Sequence, residues 1–418
     1  MNSLTWRRSA VAFAVLSASL AGVPASALEG DRIRPNVGAV YTYSDNVFYL
    51  DDRSSGGTLL KNGKRGDQTL GLQAGLDIDH YVSRQTFSLR SQLTDTRHNT
   101  YDSLDYLAYN ARGTWNWVYA DRWDGDAGIE KTQVASNLYD FRTGDRTARN
   151  LRDQTQFFGS ALLRMSPDWK LRGALRYSDI GNSLSRFNSQ DRQEWVMEAG
   201  SRRYSKGTDD FIGINFRYLN GKLPNRVVTA TSTIDNAYQQ YTAEGTIDYQ
   251  FSGLTRLSGN LGFTSRRYKQ LGQRNFDGIT GRLSAGYTLS SKTSLNGSVF
   301  REIGAWEDLT TNFVLTQGFS LSAAQSLSDK LVLQLNYSLR KRSFLGDPDF
   351  VTVGTPTRKD NFNSLSASLL WSPLRNVRVN GTFSYDRRTA NDAWVANGFG
   401  PFNDFTAKTV SVSGQLTF

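Results

Sequence analysis

TVSVSGQLTF, residues 409–418, alternates without a break. Val410, Val412, Gly414, Leu416 and Phe418 fall on one side; Thr409, Ser411, Ser413, Gln415 and Thr417 fall on the other. A two-residue period is that of a strand with one dry and one wet face. A soluble sandwich and a membrane wall both accept such a strand. What separates them is how far the pattern runs and how the turns are distributed.

The pattern runs the length of the chain. LVLQLNYSL (331–339) sets Leu331, Leu333, Leu335, Tyr337 and Leu339 against Gln334, Asn336 and Ser338. VRVNGTFSY (377–385), RLSAGYTL (282–289), TRLSGNLGF (255–263), WKLRGALRY (169–177) and YTAEGTIDYQF (241–251) divide the same way. Short polar turns are predicted near 82–84, 120–122, 166–168, 205–208, 252–254, 290–292, 328–330 and 373–375. Longer loops are predicted at 46–66, 98–104, 136–152, 181–189, 220–236, 268–275, 305–312, 344–361 and 389–404. Eight short and nine long connections give eighteen strands, with both chain ends on the short-turn side. Pro35 sits near the start of the first strand, Pro167 and Pro373 fall in short turns, and Pro224, Pro348, Pro356 and Pro401 in long loops, so no proline is expected to interrupt a strand interior.

Strands of this length cross a bilayer, and backbone groups in hydrocarbon must all be paired, so the sheet has to close. The expected fold is all-β: a transmembrane antiparallel outer-membrane barrel of about 18 strands, with short periplasmic turns and long extracellular loops. Aromatic residues near the strand ends fit headgroup girdles. Tyr81, Tyr119, Trp123, Trp169, Phe251, Trp371 and Phe418 would form one, and Tyr101, Tyr177, Tyr218 and Tyr385 the other. The alternative is a soluble all-β protein whose aromatic residues are ordinary core.

The N-terminal stretch reads as a secretory signal peptide. Arg7 and Arg8 precede an apolar run from Ala10 to Ala21, and Ala25-Ser26-Ala27 is a small-residue cleavage site. An uncleaved anchor is the other reading. Residues 1–27 are therefore expected to be removed, leaving 28–418 as one barrel domain in the outer membrane of a Gram-negative bacterium.

Composition narrows the chemistry. The chain has no cysteine, which excludes thiol nucleophiles, thiolate metal sites and disulfides. It has two histidines, His80 and His98. His98 lies in DTRHNTYD (95–102) between Asp95 and Asp102, a pattern more typical of a surface residue than of a base. No GxSxG elbow, zinc pair or phosphate loop is present. The acids of DDRSSGG (51–57) and LGDPDF (345–350) suit a hard cation chemically but read as solvated loop residues. A net charge of +10 without a basic block does not indicate nucleic-acid binding. No catalytic residue, metal or cofactor is expected, and the chain reads as a non-enzyme.

Specificity is expected in the lumen. With the dry face outward, Arg90, Arg112, Arg164, Lys170, Arg172, Arg176, Arg202, Arg217, Arg266, Arg282, Arg340 and Arg378 point inward. Inward acids are Asp77, Asp79, Asp124, Asp126, Glu130, Glu198, Glu244, Asp248, Glu302 and Asp386. Strands six to nine carry six of the basic positions against Glu198 alone, so one wall should be positive. Such a wall either guides an acidic polymer through guanidinium–carboxylate contacts or holds paired charges that stiffen the barrel.

The stretch RIRPNVGAVYTYSDNVFYLDD (32–52) resembles the opening of the EpsL-like outer-membrane barrels that accompany exosortase/PEP-CTERM exopolysaccharide gene sets, within a broader porin-type superfamily. The shared pattern is a proline, an alternating strand and an Asp-Asn-x-Phe turn, here Asp45-Asn46-Val47-Phe48; Tyr49 stands where a basic residue is commoner. TWNWVYADRWDGDAGIE (114–130) is a second match, a W-x-W strand with a tight turn and a glycine-containing return strand. The resemblance implies exopolysaccharide biosynthesis or export, with the barrel as a polar conduit for the secreted chain. It also implies that Val412, Leu416 and the terminal Phe418 form a barrel-assembly signal. The partners implied are the outer-membrane bilayer, the barrel-assembly machinery, a polysaccharide chain and periplasmic export proteins. A general diffusion porin for small solutes, or a non-conducting scaffold of an export complex, are the alternatives.

Overall fold

The computed structural model describes residues 32–418 apart from 54–55, 57–58, 141–147, 226–234, 236, 271, 309–310, 346–357 and 391–403. The expected signal peptide lies outside the described residues. The first six strands are β1 (Arg32–Ser44), β2 (Asp67–Val82), β3 (Gln85–His98), β4 (Tyr106–Tyr119), β5 (Trp123–Ala135) and β6 (Leu151–Ser166). The next six are β7 (Trp169–Asn182), β8 (Arg192–Tyr204), β9 (Phe211–Lys222), β10 (Tyr238–Gln250), β11 (Thr255–Tyr268) and β12 (Phe276–Ser290). The last six are β13 (Thr293–Asp308), β14 (Thr311–Ser328), β15 (Leu331–Leu345), β16 (Lys359–Leu374), β17 (Val377–Ala390) and β18 (Phe405–Thr417).

Every strand pairs antiparallel with its sequence neighbours, and β18 returns to β1. The closing register runs from Asn36 opposite Thr417 to Ser44 opposite Thr409. One residue further, the Phe418 N–H donates to the Pro35 carbonyl at 2.9 Å. The eighteen strands therefore form one closed antiparallel barrel without a free edge.

All eight short turns fall where the alternation breaks. Five are two-residue hairpins; in the β4–β5 turn, Ala120 and Asp121 both adopt positive φ, the twist that suits tight hairpins. Pro373 is displaced from its expected place. It lies inside β16, where the pairing shifts register between Trp371 and Leu374, because a bulge accepts a residue without an N–H. The predicted loop at 305–312 is also mostly strand, since β13 runs to Asp308 and β14 starts at Thr311. The extension has tertiary support that local sequence does not reveal: β13 touches the 3-10 turn Ser185–Gln190 between β7 and β8.

The outward faces are apolar and uncovered. Val412 is 51% exposed and Phe216 59%, with Leu107, Ile129, Phe263, Ile279, Val299 and Leu321 similar. Such a belt is incompatible with water over so large an area and compatible with lipid. Tyr119, Trp123, Trp169, Phe251, Trp371 and Phe418 are exposed near the short-turn end, while Tyr41, Tyr43, Trp195 and Tyr241 are exposed near the other. The barrel is built to span a membrane. Its buried core is elsewhere, at the long-loop end, where Phe48, Leu50, Leu104, Tyr238, Phe276, Phe313, Phe362 and Phe405 are covered. Tyr101 belongs to that core, packed edge-on to Phe48 at 4.7 Å, and not to the expected outer girdle.

Placing a charge on the lipid face should cost about 2–4 kcal/mol near the bilayer midplane and little on the lumen face. Val412→Arg should therefore lower the urea midpoint of the barrel refolded in lipid vesicles, and Ser411→Arg, one residue away, should leave it nearly unchanged.

Candidate functional site

Alternation sends every second side chain of the wall inward, so the lumen is the one place where this chain concentrates polar chemistry. The predicted positive wall on β6–β9 is built by register. Lys170 of β7 lies directly opposite Arg164 of β6 on one side and Arg202 of β8 on the other. Three cations thus form a row near the short turns, on strands about 4.8 Å apart. Arg164 reaches Asp124 at 3.6 Å. The other two lie against aromatic faces, Lys170 at 4.0 Å from the Tyr204 ring centre and Arg202 at 4.4 Å from that of Phe211. Like charges placed opposite one another are unfavourable, and contact with ring faces offsets only part of that, about 0.5–1 kcal/mol each at exposed sites.

Deeper in the wall the charges are matched. Glu198 accepts from Arg172 at 2.5 Å and from Arg217 at 2.9 Å. Arg217 also reaches Glu244 at 3.4 Å, and Glu244 accepts from Asn215 at 2.9 Å and Asn260 at 2.6 Å. Above this network a recess of about 260 Å³ is lined by Arg112, Asp126, Gln156, Phe158, Arg176 and Glu198. Arg112 is committed to Glu130 at 2.8 Å and to the Phe158 ring at 4.5 Å. Among the described residues, Lys170, Arg176 and Arg202 have no carboxylate partner, whereas Arg172 and Arg217 do.

The remaining predicted cations divide. Arg282 pairs with Glu302 at 2.9 Å and lies over Phe300, Arg340 lies over Phe362, and Arg378 is an exposed inward residue of β17. Arg266 is not on the lumen surface: it is 2% exposed, held by the Gln240 side chain at 2.8 and 3.0 Å and stacked on Tyr238. The aromatic cluster at the mouth covers it, which strand parity cannot show. Val412 and Phe418 are on the lipid face, and Leu416 pairs with Val37 of β1 and Val377 of β17 at the seam.

The long loops fold into the mouth. Asn46 is the bolt of the first: its side-chain nitrogen donates to the Leu50 carbonyl at 2.8 Å and to the Thr406 carbonyl at 2.9 Å, while its oxygen accepts from the Leu50 N–H at 2.8 Å. Phe48 and Leu50 then pack on Tyr101 and Leu104. The Asp-Asn-x-Phe pattern is therefore the device that turns the first loop inward. From the far side, Tyr139 crosses to β16–β18, packing on Phe362 and Phe405, and its carbonyl accepts from Arg388. Beside it the fully buried Asp360 is ringed by Arg342 at 3.1 Å, Arg358 at 2.8 Å and Arg388 at 4.0 Å. Sequence reading did not find this cluster, because its members lie on or beside three neighbouring strands and meet only through the register that pairs them.

His98 sits at the end of β3, with its Nδ1 3.5 Å from Asp105 and its backbone N–H donating to the same carboxylate at 2.7 Å. Its acidic partner is thus Asp105, not the flanking Asp95 or Asp102. His80 is on the opposite face at the other end of the barrel wall, with its ring 6.3 Å from Phe87. Nothing in this placement assembles a nucleophile, base and orienting group.

A closed wall, a lipid-compatible exterior and a polar, charged interior decide the class. The chain is a closed transmembrane β-barrel. No family model matches the sequence, and no curated protein matches it. Solved structures similar to it include OccAB3 of Acinetobacter baumannii, at 11% identity and a TM-score of 0.48, with 94% of this chain and 100% of that one covered. The outer membrane protein OpdK of Pseudomonas aeruginosa is similar at 12% identity and a TM-score of 0.48, over 93% of this chain and 99% of that one. The siderophore receptor PirA of Pseudomonas aeruginosa matches at 10% identity and a TM-score of 0.43, over 93% and 80%. At these distances the likeness is one of barrel form.

The docked first loop carries its own pH dependence. Burial pushes the Asp51 carboxyl up, but hydrogen bonds and charge from Arg53, with Arg65 nearby, outweigh it and hold Asp51 below the usual carboxylate value. A depressed folded value means that its stabilisation is complete above the unfolded value and is lost as pH falls through the folded one. The loop should resist proteolysis from neutral pH down to the ordinary carboxylate range and loosen only below it. Asn46→Ala, which strands buried carbonyl and amide groups at a cost of about 1–3 kcal/mol, should make the 45–66 segment cleavable at neutral pH with the barrel still folded.

Proposed function

We propose that this barrel is an outer-membrane conduit for a secreted exopolysaccharide, of the EpsL-like kind that its Asp45–Phe48 turn resembles. The observation that supports it best is an asymmetry. The lumen is polar and carries charged and aromatic groups toward the short-turn end, while the long-loop end is packed with the protein's own side chains. An exporter that must hold the membrane tight between chains has a use for a mouth filled from outside and a binding wall reached from inside. A passive porin needs the reverse, a permanently open mouth. Outer-membrane placement is supported by the lipid-facing belt, by the aromatic residues at both ends of the wall and by a signal-peptide-like start. An eighteen-strand wall is wide enough to enclose an aqueous path, and weak contacts at many points let a chain advance without being trapped.

The reading is tested in a strain lacking the gene, with and without a restoring copy, by measuring high-molecular-weight polysaccharide in the medium and in the periplasm. The expected result is loss outside with accumulation inside, reversed by the copy. Unchanged secretion, with altered uptake of small sugars, would instead make the protein a diffusion porin.

A further inference from the structure

We propose that the β7–β8 face of the lumen binds an extended, sparsely charged polyanion, so that the chain passing through the barrel carries carboxylated sugars of the uronate type. This rests on the conduit reading and narrows it to a substrate class.

The wall carries two separate stations of uncompensated positive charge. The lower is the Lys170–Arg202 pair, directly opposed across β7 and β8, with Arg164 next to it in the same row. The upper is Arg176, which shares the mid-lumen recess with Asp126 and Glu198 but makes no ion pair with either. Lys170 and Arg176 are on the same inward face of β7, and a separation of six residues in an antiparallel strand spans about 20 Å. Between the stations, Arg172 and Arg217 are matched by Glu198 and Glu244. The same wall thus alternates cations that are ion-paired with cations that are not.

A fold that needed only stability would not place Lys170 opposite Arg202 with no acid beside them, since opposed like charges on paired strands are unfavourable. An anion supplied from outside removes the penalty, and a carboxylate matches the guanidinium fork. A small carboxylate occupies one station. A chain with carboxylates spread along it occupies both, and the rings of Tyr204 and Phe211, on which Lys170 and Arg202 rest, hold the lower cations in place for it. Charge density argues against a duplex nucleic acid, which carries one phosphate per about 3.4 Å on each strand; three cations without ion pairs over about 20 Å suit a polymer with far fewer charges. The lower station is close to the short turns, so a polymer meets it first when entering from that end.

The test uses the full barrel in detergent micelles and fluorescence anisotropy of labelled long oligogalacturonate. Its methyl-esterified form, galacturonic acid monomer and neutral dextran serve as comparisons. Binding of the acidic oligomer is expected to fall with salt, and the ester, the monomer and dextran are expected to bind far more weakly. Arg176→Gln should weaken binding by about three- to fivefold, the scale of one exposed charge contact, and Lys170→Gln with Arg202→Gln, which removes two, by about ten- to twenty-five-fold; all three together should weaken it multiplicatively. Arg267→Gln, which removes an outward-facing charge, should change nothing. Retained heat-shifted gel migration shows that each variant is folded, and Lys170→Arg should restore binding. Equal binding of ester or dextran, indifference to all three lumen substitutions, or monomer binding as tight as oligomer binding would overturn the proposal. Failure here with the secretion defect intact leaves a conduit for a neutral polymer. Binding here with normal secretion leaves a polyanion-binding barrel whose conduit role has failed.

Discussion

Every backbone donor and acceptor of this wall has to find its partner inside the protein, because the surface it presents outward is hydrocarbon-compatible and offers none. That requirement decides the architecture. An open sheet of eighteen strands would leave two unpaired edges; the seam between β1 and β18, with Phe418 bonded to Pro35 beyond its last rung, removes both. Turns, register and the sorting of side chains follow from keeping that ladder continuous.

A wall one residue thick has no interior of its own, so alternation divides its chemistry between lipid and lumen. A slip of one residue in any pair would carry the inward charges into the bilayer, at a cost far above that of any single contact in the lumen. Register is therefore fixed mainly by the apolar face, and the lumen inherits whatever neighbours this brings together. Some are good partners, as where Glu198 is shared by Arg172 and Arg217. Others, such as Lys170 and Arg202, are opposed like charges. The second kind is informative because the fold gains nothing from it.

Ordinary packing returns only at the long-loop end, where the loops supply the second layer that the wall lacks. Asn46 joins the first loop to β18 across 360 residues, and Tyr139 joins the third to β17 across 249. Buried guanidinium groups around Asp360 and aromatic rings on either side knit this end together.

Strand number, the short turns and the inward parity of Arg164, Lys170, Arg172, Arg176, Arg202 and Arg217 were legible in the sequence, because a two-residue period and a polar turn are local signals. The partners of those charges were not, since they depend on which rung of one strand meets which rung of the next. Arg266 and Tyr101 were misplaced for the same reason: parity gives a direction but not what covers it. The Asp45–Phe48 motif was visible as a pattern and unexplained as a device until Asn46 met Thr406. The sequence by itself determined a closed, two-faced wall, since periodicity is written residue by residue. Only the tertiary structure decided which charges are satisfied and which end is filled, because the first depends on the register between neighbouring strands and the second on contacts across the closed seam, such as Asn46 with Thr406.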